Sequence, residues 1–421
     1  MSSNPYPRDV AVRVLTRVLS DFQPLDESLA LISGEVSSEA RGWLQEVCSG
    51  TLRWKGRLDQ ALDATALKKK PSGWLRKVLM IAAYQLIVQE RTHPGGVVSE
   101  TVAEVRKKEG EAPAKFANAI LRKISEHSKE WRDLALKPRP SKKEGALWAS
   151  LPDWLWSRLV DQYGLENAKR YAQASLERPS LWIRSKSKEG RVAGDGSAEY
   201  QAGPILGSFK IQKSGPILQM AGFNEGEFFV QDISSQTLVQ AVSEEIQKSS
   251  GIEISALDLC AAPGGKSAGM AWNGLSVTAT DRDEARALLL AQTVQRVAPQ
   301  VKIIPRSEVA GLAPQKLVWV DAPCTGSGIL RRHPDVRWLR REKDLVQLTA
   351  LQLELVREGW DKVSPGGYLA YSVCSVLREE GLAVLQDAGL EAQIVKQWAL
   401  LPYEEPFGDG FWAALIQRPV I

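Results

Sequence analysis

Apolar residues recur at helical spacing through residues 9–127. Val10, Val14 and Val18 fall on one face, and the same period predicts helices around 44–62, 74–88 and 97–105. An all-α domain over residues 1–136 is the expectation. The pattern then breaks at Lys-Pro-Arg-Pro-Ser-Lys-Lys-Glu-Gly, 137–145, where two prolines and four basic residues resist packing, so 137–150 reads as a basic linker and the main domain boundary. Residues 151–236 begin with helical spacing around Trp154 and Ala168. They turn to short strand-like pieces near 181–183, 208–211 and 228–230, a small α+β segment. From 237 onward short apolar runs alternate with helix-length gaps: 254–259, 277–279, 301–304, 317–320 and 368–371 are candidate strands. That alternation predicts a parallel, doubly wound sheet. The last two runs, 392–396 and 411–416, lack a helix-length gap and fit an antiparallel hairpin at its edge.

A chain of 421 residues exceeds the size of one growing core, which agrees with several domains. The polar start lacks the apolar core of a signal peptide and no run is long enough to span a membrane, so a cytoplasmic protein is expected. The four cysteines, Cys48, Cys260, Cys324 and Cys374, form no CxxC pair, which argues against a disulfide framework and against a zinc cage; no metal is expected. Net charge is +4, but residues 1–145 carry about seven excess positive charges and the remainder about three negative. The N-terminal bias suits contact with phosphate. No long apolar seam stands out, which favours a monomer.

Chemistry concentrates in three places. Cys260-Ala261-Ala262-Pro263-Gly264-Gly265-Lys266 joins the first strand of the sheet to a helix through small residues, where backbone can approach a ligand closely. Asp281, ending the second strand, is placed to accept hydrogen bonds from the hydroxyls of a cofactor ribose. The loop reads neither GxGxxG nor GxxxxGK[ST], so nicotinamide cofactors and ATP are disfavoured and S-adenosylmethionine (SAM), which carries no phosphate, leads. After the fourth strand comes Asp321-Ala322-Pro323-Cys324, and after the fifth comes Cys374. Carboxyl ends of parallel strands face the ligand crevice, so two thiols and a carboxylate should converge there. Cys48 and Cys260 read as small buried apolar residues.

At these motifs the sequence resembles the RNA cytosine-5 methyltransferases, and most closely the bacterial RsmB (Sun, Fmu) subfamily acting on small-subunit ribosomal RNA. The resemblance spans nearly the whole chain. It implies a NusB-like helical RNA-binding domain ahead of a Rossmann-like methyltransferase domain, SAM at residues 260–266, Asp281 and Asp321, and ribosomal RNA as partner. Cys374 falls on the family's nucleophile, Cys324 on its releasing thiol and Asp321 on its catalytic-loop acid. Carbon 5 of cytosine attacks a sulfonium methyl only after a nucleophile has added at carbon 6, and a thiolate suits that addition. The stretch 329–338 also resembles the subfamily, which makes Arg331, Arg332 and Arg337 candidate RNA contacts. Two departures stand out: Val373 replaces the usual threonine before the nucleophile, and Ile304-Pro305-Arg306-Ser307 lacks the third-strand aspartate near the adenine. The second keeps open an RNA-binding assembly factor with lost turnover. The same chemistry on transfer RNA is a further alternative.

Overall fold

The computed structural model describes residues 7–66, 69–90, 92–187, 198–250 and 254–420; of the polar start, residues 1–6 lie outside that description. The chain divides into two compact units, Met1–Glu177 with Leu330–Glu342, and Arg178–Ile329 with Lys343–Ile421. No helix among the described residues is long and apolar enough to cross a membrane.

The first unit is helical. Its longest helix, Ser38–Thr65, starts where the Ser37 side chain accepts from the Ala40 amide. It buries Leu44, Cys48 and Leu52, then Leu58 and Leu62, at four-residue spacing, with Val47 beside them. Helix Gly73–Ile87 is buried continuously from Val78 to Ile87, as expected of a central helix rather than a surface one. The two pack closely at Gly50, where a Cβ would fall 1.9 Å from the Tyr84 ring. Helices Pro7–Leu19, Pro94–Glu109 and Glu111–Glu126 supply Val10, Val14, Leu15, Val105, Ile120, Leu121 and Ile124 to the same core.

The basic linker expected at 137–150 is replaced by a packed helix. Ser141 and Glu144 form a reciprocal capping box that starts helix Lys142–Ala149 directly after the prolines, and Ala146, Trp148 and Ala149 are buried. The Arg57 guanidinium stacks on the Trp148 ring and donates to its carbonyl, 2.8 Å away. The expected segment 151–236 is likewise divided: Asp153–Leu176, two helical stretches meeting at Gly164 (φ 77°), belongs to the first unit, and the strands belong to the second. The boundary lies at Glu177, where packing ends, rather than at the prolines.

Among its described residues the second unit holds eleven strands. β1 (Leu181–Ser185), β2 (Glu199–Ala202), β3 (Ser208–Lys213) and β4 (Phe228–Val230) form an antiparallel sheet ordered β2-β3-β1-β4 around Ile183, Phe209 and Phe228. β5 (Ser255–Asp258), β6 (Ser276–Ala279), β7 (Lys302–Ile303), β8 (Gln315–Asp321), β9 (Val363–Val373), β10 (Ile394–Leu400) and β11 (Phe411–Gln417) form a seven-stranded sheet ordered β10-β11-β9-β8-β5-β6-β7. Pairs from β9 to β7 are parallel, while β11 runs antiparallel to both β9 and β10. The central strands are buried on both faces, which is why Leu317–Val320 and Leu369–Tyr371 read as unbroken apolar runs. Strand order reverses between β5 and β8, so the loops following them flank the crevice where such sheets bind ligands.

Candidate active site

β5 ends on Asp258, which is fully buried and accepts from Ser267 Oγ at 2.7 Å. Burial pushes its carboxyl up to about 7. The loop after it turns at Gly264 (φ 109°), a left-handed position that favours glycine, with Leu290 and Val294 3.2–3.3 Å from where a Cβ would stand. Gly264 caps helix Gly265–Trp272. Asp281 lies two residues beyond β6. It accepts from the Ala262 amide at 3.0 Å and the Asp283 amide at 3.1 Å, fixing the carboxylate against the loop. Arg286 closes the arrangement by donating to the Ala262 carbonyl.

Lys266, expected in the cofactor loop, reaches across to Asp321. Its ammonium donates to Asp321 Oδ2 at 2.6 Å and lies over the Phe411 ring. Burial alone would lower this lysine, but the charge and hydrogen bond of Asp321 outweigh it and the net shift is upward. Asp321 Oδ1 accepts from Ser372 Oγ at 2.7 Å, and Ser372 in turn accepts from Trp319. Two residues from two other elements thus hold one carboxylate at the carboxyl end of β8, one of them fixed in turn by Trp319.

The two thiols meet as their positions in the sequence foretold. Cys324 Sγ and Cys374 Sγ are 3.2 Å apart, Cys324 buried and Cys374 partly accessible. The hydrogen bond with Cys374, then burial, then the nearby charge of Glu380 push the Cys324 thiol well up, so Cys324 keeps its proton. The loops carrying them are stitched together: the Gly328 amide donates to the Cys374 carbonyl, and Ser327 and Ser375 hydroxyls are 2.8 Å apart. Cys260 and Cys48 are buried, and burial raises both thiols; Cys48 points its sulfur at the Ala11 carbonyl.

The third-strand departure has a structural use. Arg306 donates to the Leu259 carbonyl at 3.0 Å and pairs with Glu358, tying the end of β5 to helix Glu342–Asp361.

Two of the three candidate RNA contacts are corrected. Arg337 is fully buried and donates to four carbonyls, those of Arg53, Ser150, Ser175 and Leu330, all at 2.9–3.1 Å within the first unit. Burial lowers its guanidinium to about 9. Arg331 is also buried, and its own carbonyl accepts two bonds from Arg53. A phosphate cannot reach either in this arrangement; Arg332, half-buried, keeps its candidacy. Sequence reasoning missed Ser372, a small residue within an apolar strand, and Glu380, which reads as surface charge in Arg-Glu-Glu.

Strand order β7-β6-β5-β8-β9-β11-β10 about the crevice, a glycine turn after β5 and an acid after β6 define a Rossmann-like methyltransferase domain. Residues 250–409 match the family model described as 16S rRNA methyltransferase RsmB/F, and residues 6–126 match that of the NusB family. The chain is thus similar to the RsmB/F methyltransferases over its second part and to the NusB family over its first. It is 29% identical over 437 residues to ribosomal RNA small subunit methyltransferase B of Yersinia pseudotuberculosis, covering 97% of this chain and 98% of the relative. Two solved structures share the fold. PH0851 has a TM-score of 0.71 at 20% identity, covering 98% of this chain and 99% of that one. A methyltransferase homolog from Pyrococcus horikoshii has a TM-score of 0.54 at 23% identity, covering 66% of this chain and 99% of that one.

Proposed function

We propose that this chain methylates carbon 5 of a cytosine in small-subunit ribosomal RNA, with SAM as methyl donor and Cys374 as covalent nucleophile. The observation that carries the reading is the sulfur pair, 3.2 Å apart at the ends of β8 and β9 beside the Lys266–Asp321 ion pair.

The donor set of the crevice fits SAM. Asp281 is fixed to receive ribose hydroxyls, and the loop's lysine is committed to Asp321, leaving the loop itself without a cation for a phosphate. Bound there, SAM supplies an electrophilic methyl group. The chain's own residues do the rest. A target base is reached face-on only when it leaves the stack, so the RNA must present an extruded cytosine. Cys374, the more accessible sulfur, adds as thiolate to carbon 6 while ring nitrogen 3 takes a proton from solvent, and Asp321, oriented by Lys266 and Ser372, accepts a hydrogen bond from that protonated edge of the base. After carbon 5 is methylated it loses its proton to water, the electron pair left behind breaks the carbon 6–sulfur bond to return Cys374 as thiolate, and nitrogen 3 gives its proton back to solvent. Cys324, held as a thiol within hydrogen-bond distance, supports that departure. The NusB-family domain and Arg332 serve RNA binding on this reading.

The test is denaturing electrophoresis of wild type, C374A and C324A incubated with small-subunit RNA and methyl-labelled SAM. Wild type transfers label, C374A does not, and C324A accumulates an RNA–protein adduct that vanishes in the double variant. Undiminished transfer by C374A would overturn the mechanism, and preference for transfer RNA would move the substrate. The replacement of the third-strand acid by Arg306 favours a second reading, an RNA-binding assembly factor without turnover. Calorimetric titration separates them, because a scaffold without catalysis need not bind SAM.

A further inference from the structure

Glu380 is fully buried in the second unit and lies in a short 3-10 turn, Arg378–Glu380, six residues past Cys374. A carboxylate without solvent must have its oxygens filled by donors. Here Oε1 accepts from the Thr325 amide at 2.7 Å and from Gln352 Nε2 at 3.1 Å, while Oε2 accepts from the hydroxyls of Thr325 and Ser375. Thr325 follows Cys324 and Ser375 follows Cys374. One side chain therefore ties the residue after each thiol to the same point. Gln352 extends the tie by donating to the Pro323 carbonyl, on the other side of Cys324, and the Tyr371 hydroxyl fixes Glu380 through its own carbonyl at 2.6 Å.

We propose that Glu380 is the positioning residue of the two-thiol site, holding the Cys324 loop against the end of β9 so that the sulfurs remain within proton-transfer distance. The inference rests on the two-cysteine reading above. Glu380 touches neither sulfur in this arrangement and acts through Thr325 and Ser375. The two loops do not depend on it equally. Ser372 and Val373 are held by ladder pairing of β9 with β8 and β11, whereas the loop beyond Asp321 has left β8 before it reaches Cys324. Loss of the Glu380 carboxylate should therefore displace Cys324 more than Cys374, and impair release more than attack. Its charge acts in the same direction, since it is among the causes that keep the proton on Cys324.

The experiment uses the full-length chain with methyl-labelled SAM and small-subunit RNA, comparing wild type, E380Q and T325V. E380Q keeps the shape but removes the charge and one acceptor oxygen; T325V removes a single hydroxyl tie and guards against a folding failure of the first variant. Displacement of a reacting group by about 1 Å can cost roughly 100-fold in rate. The expected result is kcat down about 10- to 100-fold in E380Q and about 3- to 10-fold in T325V. KM for RNA and Kd for SAM stay within about threefold in both, and the fraction of enzyme trapped as RNA adduct rises. A merely structural role would lower turnover, adduct, SAM binding and melting temperature together, and that outcome overturns the proposal, as does wild-type turnover in both variants. If wild type itself forms neither adduct nor 5-methylcytosine, the two-cysteine reading fails and this inference falls with it.

Discussion

Replacing Arg337 by methionine keeps the apolar stem and removes the four bonds to the carbonyls of Arg53, Ser150, Ser175 and Leu330. Hydrogen bonds from a charged group contribute about 1.5–3 kcal/mol each, a gross figure of roughly 6–12 kcal/mol. Burial of the guanidinium offsets several kcal/mol of that, while the carbonyls left behind in a closed site add their own desolvation cost. The net expectation for R337M is a loss of about 3–5 kcal/mol, the range for breaking a buried charged arrangement. In a unit of this size that lowers the melting temperature by roughly 6–20 °C. R337K should recover little, because one ammonium cannot span the two pairs of carbonyls reached by Nη1 and Nη2. Urea denaturation followed by tryptophan fluorescence measures the loss, and peptide-resolved hydrogen exchange assigns it to helix Ser38–Thr65 and its neighbours rather than to the seven-stranded sheet. Wild-type stability in R337M with weakened RNA affinity would refute the reasoning and restore the phosphate-contact role.

K266M should reduce methyl transfer by about 100-fold or more while changing SAM affinity by less than about threefold, since the lysine serves Asp321; separate kinetic and calorimetric titrations check this. Asp258 titrates near 3.8 when unfolded and about 7 when folded, so the folded state holds the extra proton between those values. Stability it contributes is present below the lower value and lost as pH rises through the window, on the order of 1 kcal/mol per pH unit. Urea denaturation from pH 4 to 8 should show D258N with a flatter profile than wild type. G328A places a Cβ 1.9 Å from the Gly410 carbonyl oxygen and must shift the loop carrying Cys324; a melting temperature below wild type with at least about tenfold slower methyl transfer is expected.

The sequence by itself determined the elements and the place of the chemistry. Helical and strand periods are local consequences of burying one face or both, and a parallel sheet brings the carboxyl ends of its strands together whatever the details of packing, so Cys324, Cys374 and Asp321 could be assigned to one crevice in advance. The glycine turn at Gly264 and the acid at Asp281 were legible for the same reason. Tertiary structure decided what depends on partners distant in sequence. Lys266 sits in the cofactor loop yet reaches Asp321, 55 residues on, because burial makes an ammonium seek the nearest carboxylate. Residues 137–150 have the composition of a linker, but 142–149 within them fold as a capped helix that packs Trp148 against Arg57. Arg337 and Glu380 look like surface charges in their own segments. Each is buried because groups from several distant elements converge on it, and no window of neighbouring residues contains those groups.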